Sequence, residues 1–278
     1  MNNTFTFNRF KNLLLKDGKI YFRNFGTTLI VICCLNAIFW IFNLLFGSTT
    51  LQEVRFGLLC VWTALAMMLV PEKVYGKANL SREGVSFAML PASSLEKFIS
   101  MFIYCAIVTP IVVFFGGYLV DTLLSLFPFG GFEKPIHLYT LNEIMRLADD
   151  NKGVLQTGEM SVTFTDVFPL GVMRTSLYMG IIQWAAIFML GNMLFKKHKA
   201  GKTFACYLGI GYLLSMIFGQ VFLTNGRLER WITKIGYMPI EQKLQLYHNW
   251  MVGGMIFGII ITGVLLYFTY RKIKTQKY

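Results

Sequence analysis

Six long runs of apolar residues alternate with shorter polar stretches along the chain. The runs cover about residues 25–47, 55–75, 98–127, 168–195, 203–224 and 250–270. Each has at least the roughly 20 residues that an α-helix needs to cross about 30 Å of hydrocarbon, and almost no charge lies inside them. We therefore predict an all-α polytopic membrane protein with six transmembrane helices, folded as a single membrane domain of residues 1–278.

The composition supports a membrane protein. Hydrophobic residues make up 55% of the chain and charged residues 14%, whereas about a quarter of a soluble domain is charged. The first apolar run follows a long basic segment, and no small-residue cleavage site comes after it. We therefore expect a retained membrane span there and not a signal peptide.

The positions of the basic residues predict the topology. The net charge is +12, and most Lys and Arg residues lie in 1–24, 76–97, 196–202 and 271–278, which hold few acidic residues. Because cytoplasmic segments of membrane proteins carry such an excess, we place both termini in the cytoplasm and the chain in the inner (cytoplasmic) membrane. A nucleic-acid surface would not alternate between successive loops, so no nucleic-acid partner is expected.

The N-terminal segment 1–24 has a basic face and an aromatic face at helical spacing. This pattern predicts an amphipathic helix in the cytoplasmic headgroup layer, with Gly18 as a possible interruption. The alternative is an ordinary basic tail that only sets the topology.

Two longer polar stretches are predicted outside the membrane. In residues 128–167, Thr140 and Glu143 have the spacing of a helix capping box, and the chain after that helix has an irregular or β-like pattern. Residues 225–249 predict one or two external helices that lie at the interface or dip into it.

Common catalytic and nucleotide-binding motifs are missing from the sequence. It contains no phosphate loop, no His-Glu-x-x-His, no Gly-x-Ser-x-Gly and no Cys-x-x-Cys, so we expect no enzymatic activity, cofactor or metal site. Asp121 is the candidate intramembrane carboxylate for ion coupling. Its place near the outer end of the third run, where it can reach water, argues against that role.

The segment between the second and third runs, "SREGVSFAMLPASSLEKF", is charged and contains a proline. Residues before the proline mix charge with apolar bulk, as a protein contact surface does. Pro91 ends any helix that precedes it. Ser93 and Glu96 then have capping-box spacing, so a new helix is predicted to begin there and to continue into the third span. The candidate contact residues are Arg82, Glu83, Phe87, Leu90 and Pro91.

Three features together resemble a known family. "FAMLPASSLEKFISMFIY" is similar to the Leu-Pro-x-Ser segment before the third span of type-2 ABC transporter permeases, and "FTFNRFKNLLLKDGKIYFRNFG" resembles the interfacial helix that opens those permeases. Six spans with both termini inside also match. The resemblance implies the permease subunit of an ATP-driven exporter.

The resemblance also implies partners and roles for residues. The loop of residues 81–91 would be a coupling helix in a cleft of a separate ATP-binding cassette ATPase, and a second permease half, identical or different, would complete the transporter. Ser93 and Glu96 would cap the helix that enters the bilayer, and Lys97 would be the basic residue that follows this element in many members. Alternatives are a polytopic scaffold that transports nothing, or an intramembrane enzyme, for which paired catalytic groups are missing.

Polar residues inside the spans give few candidates for a transport path. Most are explained by hydrogen bonding between helices, and Gln183, near the centre of its run, is the best path candidate. Gly254, Gly258 and Thr262 have a spacing that allows close helix approach, within one subunit or between two.

Overall fold

The computed structural model describes residues 5–46, 51–80, 84–127, 132, 135–136, 155–157, 160–162, 170–223 and 227–275. Within these ranges nearly all residues are helical, and six helical segments are long and apolar enough to cross a membrane. The prediction of six such helices from the hydrophobic pattern is confirmed. The predicted helix that begins near Thr140 lies outside the described residues.

The helices are numbered in chain order. They are α1 (Phe7–Phe46), α2 (Gln52–Tyr75), α3 (Gly84–Ala88), α4 (Ser94–Phe102), α5 (Thr109–Ser125), α6 (Leu170–Leu194), α7 (Lys199–Leu223), α8 (Arg227–Gly236) and α9 (Ile240–Thr275). A 3₁₀ turn, Gly76–Asn79, follows α2. Two short antiparallel strands, β1 (Leu155–Thr157) and β2 (Met160–Val162), form a hairpin in which Leu155 lies opposite Val162.

The first helix is longer than the first apolar run. It is continuous over 40 residues from Phe7 to Phe46, which corresponds to about 60 Å at 1.5 Å per residue. The sequence analysis divides this stretch into an interfacial helix and a separate span, whereas the structure joins them and shows no break at Gly18. The position of its N-terminal half in the headgroup layer stays a prediction.

The third span is one continuous helical segment with a local widening. Between α4 and α5, residues Ile103–Val108 form a π-helical turn in which the Thr109 N–H donates to the Tyr104 carbonyl. The hydroxyl of Thr109 donates to the same carbonyl at 2.6 Å. Pro110 explains the widening, because its ring has no N–H and would clash with the carbonyl four residues earlier in a regular α-helix.

Helix α2 lies at the centre of the bundle and packs against α1, α5 and α6, and α6 has its most extensive contact with α9. The core is concentrated toward the end that the charge pattern places in the cytoplasm. Its buried side chains come from α1, α2, the third span and α6, and they include Tyr21, Phe25, Val70, Tyr75, Met101, Cys105, Met189 and Met193. Apolar side chains of α1, α7 and α9 remain widely exposed, as expected for helices in contact with lipid.

The segment 225–249 contains two helical pieces. The first is helix α8, Arg227–Gly236, and the second is the beginning of α9, which starts at Ile240. The sixth span therefore starts about three turns before its apolar run, because polar residues also continue the helix without a break.

Candidate functional site

The short helix α3 is the described part of the proposed coupling loop. It packs against the 3₁₀ turn, and the N–H of Gly84 donates to the Leu80 carbonyl at 2.8 Å. Phe87 is half-buried and packs against the core cluster, Leu90 is half-buried, and Pro91 is exposed. Met89 is 76% exposed. The predicted contact residues Arg82 and Glu83 lie outside the described residues.

Lys97 connects α3 to the start of the third span. Its ammonium group donates to the carbonyls of Phe87 at 2.8 Å and Ala88 at 3.1 Å. The same group lies 5.2 Å from the centre of the Phe87 ring. A cation at the C-terminal carbonyls of a helix satisfies acceptors that the helix itself cannot. Lys97 is almost completely buried, so α3 is fixed to α4 by a buried charged contact.

Glu96 connects α4 to the beginning of α1. One half of its carboxylate completes the capping box that the sequence predicts: the Ser93 N–H donates to Glu96 Oε2 at 2.7 Å, and the Glu96 N–H donates to Ser93 Oγ at 3.2 Å. The other oxygen, Oε1, accepts the Thr6 N–H at 2.8 Å and a more distant contact from Arg9 at 3.5 Å. Glu96 is fully buried, and the N-terminus of α1 is therefore held at the cap of α4.

Asp17 joins three helices one turn deeper. Its Oδ2 accepts from the Ser100 hydroxyl at 2.6 Å and from the Tyr75 hydroxyl at 3.1 Å. Asp17 is buried, and hydrogen bonds are what make a buried carboxylate tolerable. Sequence analysis overlooked Asp17 because an acidic residue on a basic helix looks solvent-exposed. The available signal was its place on the apolar stripe with Leu13 and Tyr21.

Tyr104 joins the third span to the backbone of α1. Its hydroxyl donates to the Leu14 carbonyl at 2.8 Å. A Cβ atom on Gly18 would lie 2.6 Å from that hydroxyl oxygen, so a side chain at this position would displace the Tyr104 hydroxyl. Glu96, Ser100 and Tyr104 recur every four residues and share one face. We call the contacts of these three residues with α1 the polar seam.

A second charged network lies at the opposite end of α2 and α5. Arg55 Nη1 and Asp121 Oδ1 form an ion pair at 2.6 Å, and both side chains are buried. Asp121 Oδ2 accepts the Ile136 N–H at 2.6 Å, and the Arg55 guanidinium lies 4.2 Å from the centre of the Phe132 ring. The expectation that Asp121 reaches water is therefore wrong, since Asp121 is buried against Arg55 and against Ile136, in the segment predicted to be external. Sequence analysis treated Arg55 only as the polar start of a run.

Gln183, the path candidate, lies close to Gly258, one of the residues predicted to pack helices together. A Cβ on Gly258 would lie 3.8 Å from Gln183 Oε1, so Gln183 faces α9. Thr262 is buried and its hydroxyl donates to the Gly258 carbonyl, whereas Gly254 is exposed. Gly258 and Thr262 thus take part in packing within this subunit.

A groove of about 350 Å³ opens between α1 and α2. Its lining includes Asn36, Phe39, Phe42, Leu58 and Trp62, and Gln183 is not part of it.

Comparison with known protein families, with curated proteins and with solved structures finds no match to this chain. The functional interpretation therefore depends on the contacts described above and on the sequence patterns that led to them.

Proposed function

We propose that the chain is the membrane-spanning permease subunit of an ATP-driven exporter, and that α3 with the loop before it receives the movement of a separate ATP-hydrolysing subunit. The observation that carries this proposal is the connection of α3 to two membrane helices. Lys97 binds the carbonyls at the end of α3, and its neighbour Glu96 binds the start of α1.

This arrangement is suited to transmitting a displacement. A helix of five residues is not stable by itself, so α3 keeps its shape through the buried contacts of Lys97 and Phe87. Hydrogen bonds that involve a charged group are stronger than neutral ones. A displacement of α3 would therefore move α4, and through the polar seam it would move α1 as well.

The outward side of α3 has the character of a protein contact. Val85 and Met89 are exposed, and Arg82 and Glu83 precede them in the sequence. Exposed apolar side chains beside charged ones are typical of such surfaces. The proposed partners are an ATP-binding cassette ATPase at this surface, a second permease half and the surrounding bilayer, and the predicted location is the inner membrane with both termini in the cytoplasm.

The test is co-expression with an ATP-binding cassette ATPase from a neighbouring reading frame, followed by purification of the membrane chain. We expect the ATPase to co-purify with the wild-type chain. The double variant Arg82→Glu, Met89→Asp should lose it, because Met89 is exposed just after α3 and both changes add negative charge to the proposed coupling loop without altering the half-buried Phe87 or the buried Lys97. The matched control is Tyr237→Asp, at a residue that is 88% exposed in the turn before α9.

Two outcomes would contradict the proposal. In the first, no ATPase associates with the wild-type chain. In the second, the ATPase binds both variants equally and its hydrolysis rate is independent of them. Stable association without any effect of the membrane chain on ATP hydrolysis would instead favour the scaffold alternative.

A further inference from the structure

The turn between α6 and α7 carries exposed basic residues and binds the 3₁₀ turn on which α3 also packs. Lys196, Lys197 and His198 are exposed, and Lys199 is buried. We refer to residues 195–199 as the basic turn. It lies at the same end of α2 as the coupling loop, since its contacts are with the end of α2 and the 3₁₀ turn.

Several hydrogen bonds hold the basic turn in one shape. The Asn79 side-chain amide donates to the Phe195 carbonyl at 3.1 Å, and the Lys199 ammonium group donates to the Gly76 carbonyl. The Glu72 carboxylate accepts the N–H groups of Lys199 at 3.4 Å and Ala200 at 2.8 Å, at the start of α7. The carboxylate of Glu72 is therefore engaged with backbone and does not extend toward the exposed lysines.

The backbone of the turn is also unusual. His198 has a φ of 49°, a left-handed conformation that residues other than glycine adopt seldom. Basic residues that only set the topology of a membrane protein act through their number and side of the membrane, and they need no fixed shape. The contacts of Lys199 and Glu72 hold the exposed lysines of this turn in a fixed arrangement, which suits a partner that also has a fixed arrangement of charge.

The basic turn and α3 share one support. Asn79, which binds the turn, is followed by Leu80, and the Leu80 carbonyl accepts the N–H of Gly84, the first residue of α3. A single rigid partner that reaches α3 would therefore also lie close to Lys196 and Lys197.

We propose that the basic turn is a second contact for the ATP-hydrolysing subunit, which would present an acidic surface beside the cleft that receives α3. This inference rests on the proposed function. Charges at the rim of an interface mainly accelerate association and give it a dependence on salt. The basic turn would accordingly guide the ATPase toward α3, while the apolar contacts of α3 would hold it there.

The experiment measures association of the purified ATPase, once co-purification has identified it, with the wild-type chain in nanodiscs of neutral phosphatidylcholine. The test variant is Lys196→Glu, Lys197→Glu. The control variant is Lys272→Glu, Lys274→Glu, which makes the same change in net charge at two exposed lysines near the end of α9. Both variants are first required to show wild-type thermal unfolding in detergent.

At low salt we expect the association rate to fall about tenfold for the test variant and to change less than twofold for the control. The difference should disappear near 1 M salt, where electrostatic interactions are screened beyond about 3 Å. Equal rates for the test variant and the wild type would overturn the inference, and so would equal losses in test and control. An effect that appears only when anionic phosphatidylglycerol replaces phosphatidylcholine would assign the turn to lipid headgroups instead.

Failure of this inference is distinguishable from failure of the proposed function. If the wild-type chain binds the ATPase and Arg82→Glu, Met89→Asp abolishes binding, the proposed function holds whatever the basic turn does. If the wild-type chain binds no ATPase, both ideas fail together.

Discussion

Single residues at the polar seam each serve two elements. Glu96 caps its own helix and binds the backbone of α1, and Asp17 accepts hydrogen bonds from two other helices. Gly18 has no side chain, and this leaves space for the Tyr104 hydroxyl, which any side chain at that position would contact. Substitutions here should therefore act on the joint between helices more than on any one helix.

A prediction at this scale concerns Gly18→Ala. The added methyl group would lie within 2.6 Å of Tyr104 Oη, and we expect a loss of about 1–3 kcal/mol in unfolding free energy, typical of overpacking. Tyr104→Phe alone should cost about 1 kcal/mol through its lost hydrogen bond. In the double variant the methyl group fits where the hydroxyl was, so the two losses should be less than additive.

The control for this double-mutant cycle is Gly26→Ala on the same helix. No atom lies within 4 Å of a Cβ built there, so the change should be neutral or slightly stabilising, since alanine favours a helix over glycine. Denaturant titration in detergent gives all four values. If the losses of unfolding free energy from Gly18→Ala and Tyr104→Phe are strictly additive, these two residues are not in contact.

At the scale of elements, the end of α3 is held by the side chain of Lys97. Lys97→Met keeps the length and apolar stem of the side chain but removes both hydrogen bonds to the end of α3. We expect faster hydrogen exchange of the amides of residues 84–90 and weaker binding of the ATPase. Lys19→Met is the control, because Lys19 is exposed on α1 and its loss should leave exchange in α3 unchanged. Equal exchange in α3 with and without Lys97 would contradict the proposed attachment.

A second prediction for an element concerns the segment that contains Phe132 and Ile136 and is predicted to be external. It contacts the Arg55–Asp121 ion pair between α2 and α5. Asp121→Asn removes the carboxylate that forms the buried ion pair with Arg55, and breaking a buried pair from one side typically costs about 3–5 kcal/mol. Arg55→Met combined with Asp121→Asn removes both charges, so it should cost less than Asp121→Asn alone.

Thermal unfolding and limited proteolysis of the external segment measure both effects. The segment should become more accessible in each variant, because Arg55 lies against Phe132 and Asp121 accepts the Ile136 N–H. An unchanged cleavage pattern would mean that the ion pair does not hold the segment in place.

At the scale of the whole molecule, the hydrophobic pattern predicts the six spans because about 20 apolar residues have no better environment than lipid. The Ser93–Glu96 spacing likewise predicts the start of α4, since a capping box is local in sequence. The contacts of Glu96 with Thr6, of Asp17 with Ser100 and of Arg55 with Asp121 join residues 66 to 90 positions apart. No local pattern carries such pairings, so only the structure supplies them.

The length of α1 has a consequence for where a soluble protein can act on this chain. Hydrocarbon and headgroups together measure about 40–45 Å, and a helix of about 60 Å that crosses them without strong tilt must stand clear of the bilayer at one side. The basic N-terminal turns are the part that can leave the lipid at low cost. Asp17, Glu96 and Lys97 would then lie at the level of the headgroups or on their aqueous side. A water-soluble reagent or enzyme can reach the surface around them there without inserting into the membrane.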